Sequence, residues 1–315
     1  MRRRELVLIF VVWILASALI FSYFDIPLVL DPLFVLYAVI VLFLIRGLWA
    51  WNWRSLNRAA GLKHDYTILL KGTFIAAFTD TITPPLTPSA ELATSYYLKK
   101  KFGGKVTDYL PIAFLESTTV FLSQVLIFLA AALTLGGFLI DASIYLVGAL
   151  LVFFVILLLA WKFREKIIKD FLKLSVEHLK ALDGVLAGIH SITSENKLLF
   201  ARVVVITLFS LILEASVVYF LVGKPEVFTL ILIAFMGSRL ISVFSMVPGG
   251  IGVYEVSMAS ILSLGGIELP ALLSAVIVYR TLFFWFNILL GSFFTGSEIY
   301  GWVKRFQPTK LRKLF

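Results

Sequence analysis

Runs of about 20 apolar residues recur along this chain, and a run of that length spans a hydrocarbon slab roughly 30 Å thick when it is helical. Full-length runs fall at about 6–24, 30–50, 110–135, 143–161, 198–222 and 270–295. A soluble core cannot bury so many of them. Of the 315 residues 60% are hydrophobic and only 15% charged, against roughly a quarter charged in soluble domains, and the mean hydropathy is +0.99. The chain is therefore expected to be an all-α, polytopic integral membrane protein. The run Leu6 to Phe24 follows Met1-Arg2-Arg3-Arg4-Glu5, which resembles the charged start of a signal peptide. It is too long for a cleaved apolar region and no small-residue cleavage pattern follows it, so the reading is a retained span.

Two further apolar regions are interrupted. Region 66–104 breaks at Thr83-Pro84-Pro85-Leu86-Thr87-Pro88-Ser89, and region 226–266 breaks at Pro248-Gly249-Gly250-Ile251-Gly252. Proline and clustered glycine both disrupt the helical hydrogen-bond ladder. In lipid such backbone persists only where protein or a wet cavity satisfies the freed groups. Pro84, Pro85, Pro88, Pro248, Gly249, Gly250 and Gly252 are thus the expected tips of two helical hairpins.

Loop charges orient these regions. Arg54, Arg58 and Lys63 precede the first and Lys99, Lys100, Lys101 and Lys105 follow it, so the positive-inside rule puts both its ends in the cytoplasm. The second is flanked by Gly223-Lys224-Pro225-Glu226 and Gly265-Gly266-Ile267-Glu268, poor in base, which puts both its ends outside. The loop 162–197 and the tail carry most remaining lysines and arginines, which predicts cytoplasmic N- and C-termini and a multi-pass cell-membrane location. The chain then reads as one membrane domain, 1–315, of six full spans and two re-entrant hairpins arranged as an inverted repeat. The first repeat covers 1–137 and the second 138–315, with an amphipathic cytoplasmic connector at about 162–197. Glu91 precedes Glu116 by 25 residues and Glu255 precedes Arg280 by the same 25 (116 − 91 and 280 − 255). Inverted repeats with broken helices in matching positions point to a transport site near the bilayer midplane.

Ionisable side chains at membrane depth cost roughly 2.5 to 3.5 kcal/mol each on insertion, which makes each a candidate for function. Asp80, Glu91, Glu116, Glu214, Arg239, Glu255 and Arg280 qualify. Glu91 and Glu255 each begin the helix leaving a break, where free N–H groups and the helix dipole favour a carboxylate. Two roles stay open for them: capping the tip, or handling an ion or headgroup. Arg239 and Arg280 are the expected counter-charges of those two carboxylates, with either a structural ion pair or bidentate phosphate binding as their task. Glu116 and Glu214 rank second, since each could simply bond a neighbouring helix. Arg46 and Lys71 lie close enough to the cytoplasmic boundary to snorkel. Trp49, Trp51, Trp53, Trp161 and Trp302 are expected in the interfacial belt.

Several classes of chemistry are excluded. Without Cys there is no thiolate catalysis, and His64, His178 and His190 are not spaced as metal ligands. No GxxxxGK[ST] loop occurs, so the chain carries no nucleotide motor. No metal, cofactor or nucleic acid is expected. The net charge of +9 follows from cytoplasmic loops rich in base.

The segment Ser245-Met246-Val247-Pro248-Gly249-Gly250-Ile251-Gly252-Val253-Tyr254-Glu255, with Tyr279-Arg280 and Phe283-Phe284-Trp285, resembles the signature of the lysylphosphatidylglycerol synthase transmembrane region, a flippase-like family. Thr87-Pro88-Ser89-Ala90-Glu91, running on to Tyr97-Leu98-Lys99-Lys100-Lys101, resembles that family's first motif. Here Ser89-Ala90 stands where the family commonly has Gly-Gly, Thr94 replaces an arginine, and Glu116-Ser117 replaces Glu-Arg. The likeness covers the membrane region and not the aminoacyl-transferring domain behind the family's name, so it implies the translocase-like part without the synthase. The leading expectation is a non-enzymatic lipid translocase for an anionic lipid headgroup or a polyprenyl phosphate, with membrane lipids as partners. The alternatives are a noncatalytic membrane partner of a lipid or glycan biosynthetic enzyme and a membrane-embedded lipid-modifying enzyme, whose paired aspartates or activated His do not occur at useful spacing.

Overall fold

A computed structural model of the protein describes residues 32–84, 87–135 and 176–303. The expected spans 6–24 and 143–161, Pro85, the first part of the connector and the basic tail lie outside the described residues. Among those described, all regular structure is helical. The elements are α1 (Pro32–Ala59), α2 (Tyr66–Ile82), α3 (Ser89–Phe102), α4 (Val106–Leu135), α5 (Val176–Glu195), α6 (Lys197–Val222), α7 (Phe228–Phe244), α8 (Val253–Ser263), α9 (Leu269–Arg280) and α10 (Phe286–Val303). A π-helical turn, Thr281–Trp285, joins the last two without interrupting them.

Local chemistry sets the boundaries. Asp65 caps α2, its Oδ1 accepting from the Thr67 N–H at 2.7 Å. Thr83 and Pro84 end that helix, because a residue before proline is pushed out of the α region and proline itself has no N–H to donate. Gly223, at φ 68°, closes α6 by donating to the Tyr219 carbonyl, a left-handed C-terminal cap that glycine adopts without steric cost.

Five stretches are long and apolar enough to cross a membrane: Pro32–Ala59, Val106–Thr134, Lys197–Val222, Pro225–Phe244 and Leu269–Thr295. The fourth is the first limb of the second broken region, and its 20 residues reach about 30 Å at 1.5 Å per residue. The corresponding limb α2, at 17 residues, reaches only about 26 Å. Helix α1 shows why these helices suit lipid. One face buries Ala38, Val41, Leu42 and Ile45, while Leu33, Leu36, Ile40, Phe43 and Leu44 are exposed on the other. Such an apolar outer face would drive association in water and needs no cover in hydrocarbon.

The packing pairs the two limbs that flank each break. Helices α2 and α3 lie against each other across the first break and α7 and α8 across the second. Helix α1 packs on α6, α2 packs on α10, and α7 packs on α4. The α2–α10 crossing is close: a Cβ added at Gly291 would stand 2.3 Å from Phe78 Cβ and 2.7 Å from the Phe74 carbonyl oxygen. The described part of the connector, α5, rests on α4 at Gly188 and Pro111 and buries Ile192.

Candidate functional site

The second break is held by its own carboxylate. Gly252, at φ 83°, donates its N–H to Glu255 Oε2 at 2.8 Å, the return leg of a capping box. The other carboxylate oxygen, Oε1, accepts from Arg280 Nε at 2.8 Å. Arg280 Nη2 in turn donates to the Gly249 carbonyl at 2.5 Å. The guanidinium carbon lies 4.8 Å from the Tyr254 ring and 4.7 Å from the Phe284 ring, both inside cation–π range. One arginine thus ties the end of α9 to both sides of the glycine turn. The expected pairing of Arg280 with Glu255 holds, and capping and pairing are done by the same carboxylate.

Arg239 departs from expectation. Its partner is neither Glu91 nor Glu255 but Glu214 on α6, at 2.7 Å from Nη2 to Oε1. Tyr279 donates its hydroxyl to the same oxygen at 2.8 Å, and the Phe235 ring lies 4.7 Å from the guanidinium carbon. Glu214, ranked second from sequence, is therefore the buried acceptor at which α6, α7 and α9 meet.

Arg46 is the larger correction. It does not snorkel: only 6% of its surface is exposed. Nη2 donates to Asn287 Oδ1 at 2.9 Å, the Trp49 ring lies 4.8 Å from its guanidinium carbon, and among the described residues Nε and Nη1 are buried without an acceptor. The reason is helical phase. Arg46 shares a face with Leu42, Ile45, Trp49 and Trp53, all at three- and four-residue spacing, and that face turns inward. Lys71, by contrast, is exposed as expected. Trp53, expected in the interfacial belt, is buried and donates to Glu116, and Trp49 lines a cavity, whereas Trp51 is exposed.

That cavity, about 260 Å³, is where these groups converge. Its walls include Arg46, Asp80, Glu214, Arg239 and Arg280, together with Gly249 and Gly250 of the turn. The end of α2 forms part of the same wall. A Cβ added at Gly249, whose φ is 61°, would stand 2.9 Å from the Thr81 carbonyl oxygen and 2.6 Å from Phe284 Cε2, so glycine is what lets the second turn touch the first helical limb. Asp80 lines the cavity and sits in the field of Arg239 and Arg46, with no salt bridge or hydrogen bond to its carboxylate among the described residues.

The remaining expected residues form a neighbouring group. Glu91 opens α3 and interacts with Ser117, and Glu116 with Trp53; the two carboxylates also feel each other and Asp80. Neither lines the cavity. Pro84 and Pro88 are exposed on either side of the first break, and Pro248 enters the second. Among the described residues no group of three or more His, Cys, Asp or Glu is placed to hold a metal ion. Arg46, Asn287 and Trp49 are the site residues the sequence reading missed, and Asp80 was noticed only as an intramembrane charge.

The family model described as the lysylphosphatidylglycerol synthase TM region matches residues 5–291. The UPF0104 membrane protein PH1989 of Pyrococcus horikoshii is 25% identical over 291 residues, covering 83% of this chain and 86% of its own length.

Proposed function

The chain belongs to the lysylphosphatidylglycerol synthase transmembrane-region family, a family of membrane proteins, and from that membership and the geometry of the cavity we propose that it is a lipid translocase. It passes the polar headgroup of an anionic lipid or polyprenyl phosphate between leaflets while the acyl or prenyl tails stay in lipid, and it does so without altering the molecule chemically. The observation that carries this reading is the charged cavity itself. Two interrupted helices meet there, at Thr81 and Gly249, and three arginines and two carboxylates line it in a chain otherwise dominated by apolar side chains.

In this reading the two breaks are re-entrant hairpins from opposite faces of an inverted repeat. The element register supports it. Adding 164, the distance from Glu91 to Glu255 (255 − 91), to the first residues of α1, α2, α3 and α4 lands within two residues of the starts of α6, α7, α8 and α9. The packing is reciprocal in the same way: α2 rests on the closing helix of the second series and α7 on the closing helix of the first. The same register matches Glu116 with Arg280. In the same reading both termini are cytoplasmic, which the base-rich loops support through the positive-inside rule.

The test is leaflet exchange. Purified protein in liposomes should accelerate exchange of a labelled anionic lipid, and Glu255→Gln should slow it. No acceleration across phospholipids and polyprenyl phosphates would refute the function. Accessibility labelling near residues 60 and 102 should report the same face of the membrane; opposite faces would remove the first hairpin.

A further inference from the structure

Within the proposed translocase cavity the three arginines are not equivalent. Arg239 is committed to Glu214 and Arg280 to Glu255 and the Gly249 carbonyl. Each pair is already neutral, and drawing either arginine to a ligand would strand a buried carboxylate. Arg46 differs on every count. It is only 6% exposed, it lines the cavity, and among the described residues its hydrogen bond goes to the neutral Asn287 amide while Nε and Nη1 reach no acceptor. Buried arginine donors without partners are costly, and the guanidinium is built to take a phosphate oxygen by two parallel hydrogen bonds.

Asp80 is the counterpart. It lines the same cavity and accepts no hydrogen bond among the described residues. A ligand filling this space must therefore offer an anion to Arg46 and a hydrogen-bond donor to Asp80. The volume of about 260 Å³ equals that of roughly nine waters at ~30 Å³ each. It suits a headgroup and excludes a whole diacyl lipid.

We propose that Arg46 is the phosphate-binding residue of this cavity and that Asp80 selects phosphodiester headgroups carrying hydroxyl or amine donors over bare phosphate monoesters. This rests on the translocase reading for the source of the headgroup, but the site itself is tested by binding alone. Purified protein in neutral detergent is titrated calorimetrically with dihexanoyl phosphatidylglycerol, dihexanoyl phosphatidic acid and inorganic phosphate. Phosphatidylglycerol should bind more tightly than the other two. Arg46→Gln should weaken it roughly 10- to 100-fold, the loss expected for charge-assisted hydrogen bonds, and Arg46→Lys should weaken it less. Asp80→Asn should erase the preference for phosphatidylglycerol over phosphatidic acid.

Unchanged affinity in Arg46→Gln, or no binding of any phosphate-bearing probe by the wild-type protein, would overturn the proposal. If Arg46→Gln fails to fold, the wild-type titrations and Asp80→Asn still decide it, since an unaltered lipid preference in Asp80→Asn removes the selectivity half and a silent wild type removes the whole. Binding of inorganic phosphate without the lipids would overturn the lipid source. Tight phosphatidylglycerol binding with no leaflet exchange would uphold the site and refute the translocase instead.

Discussion

The latch formed by Glu255 and Arg280 makes a quantitative prediction. Both side chains are 13% exposed, which puts the pair outside the surface regime, where exposed pairs are worth about 0–1 kcal/mol. Removing one member of a buried pair leaves an uncompensated charge and costs about 3–5 kcal/mol. Glu255→Gln is milder, because an amide oxygen still accepts from the Gly252 N–H or from Arg280; what it loses is the charge on those bonds, about 2 kcal/mol. Arg280→Met should cost about 3 kcal/mol, since Glu255 is then left with a single backbone donor. The double variant holds no stranded charge and should cost about 3 kcal/mol, so the two single effects overshoot it by about 2 kcal/mol. Reversible unfolding of the purified protein in mixed micelles, followed by circular dichroism, measures all three. Additivity within about 0.5 kcal/mol would mean that the two groups do not sense each other, and the latch would have to be abandoned.

Four further substitutions probe three separate parts of the fold. Gly249→Ala meets both a positive φ and the Thr81 carbonyl, so it should destabilise and slow lipid exchange, whereas Gly252→Ala, with nothing within 4 Å of its added Cβ, should cost only backbone strain of about 1–3 kcal/mol and leave exchange near the wild-type rate; equal effects on exchange would show that contact between the breaks is irrelevant. Gly291→Ala would drive a methyl into Phe78 and the Phe74 carbonyl, an overpacking cost of about 1–3 kcal/mol that thermal unfolding in detergent should register; an unchanged melting temperature would disprove the close α2–α10 crossing. His64, in the loop between α1 and α2, stacks on Phe102 at 3.9 Å and is half-buried there. Burial holds its pKa below the ordinary 6.5, so the folded state binds fewer protons than the unfolded state. Its contribution is complete above about pH 6.5 and is lost as the pH falls through the lowered value. Melting scans between pH 7.5 and 5 should show that slope, His64→Phe should flatten it, and an equal slope in both proteins would refute the assignment.

Much of the architecture was legible because lipid restricts what a chain can do. The break points followed from proline and glycine, whose effect on a helix is local and absolute, and α2, α3, α7 and α8 end where those residues stand. The pairing of Glu255 with Arg280 was legible in part, since the sequence offered Arg239 and Arg280 together as counter-charges for Glu91 and Glu255 without saying which meets which. The partner of Arg239 was not, since Glu214 lies on a separate helix and only packing of α6 against α7 and α9 brings it near. Arg46 was misjudged for a related reason. Distance along the sequence from a presumed boundary says how deep a residue lies, while the choice between snorkelling outward and turning inward depends on rotational phase. The spacing of Leu42, Ile45, Arg46 and Trp49 carried that phase, and weighing it above depth would have placed Arg46 in the site. Trp53 obeys the same logic, as it continues that stripe to Glu116.

The latch also joins the site to a π-helical turn beside it. Arg280 is the last residue of α9, and the π-helical turn Thr281–Trp285 begins immediately after it. A π turn carries one residue more than an α turn, its hydrogen bonds are weaker, and such turns concentrate at functional sites. Phe283 and Phe284 of this turn line the cavity, and Phe284 lies against both Arg280 and Gly249. Tightening the turn to α geometry would rotate α9 by about 100° relative to α10. Arg280 would then leave Glu255 and the Gly249 carbonyl together. A change that removes the extra residue, such as deletion of Leu282, should therefore mimic Arg280→Met in unfolding and in exchange, and a deletion variant that keeps wild-type values in both would separate the turn from the latch.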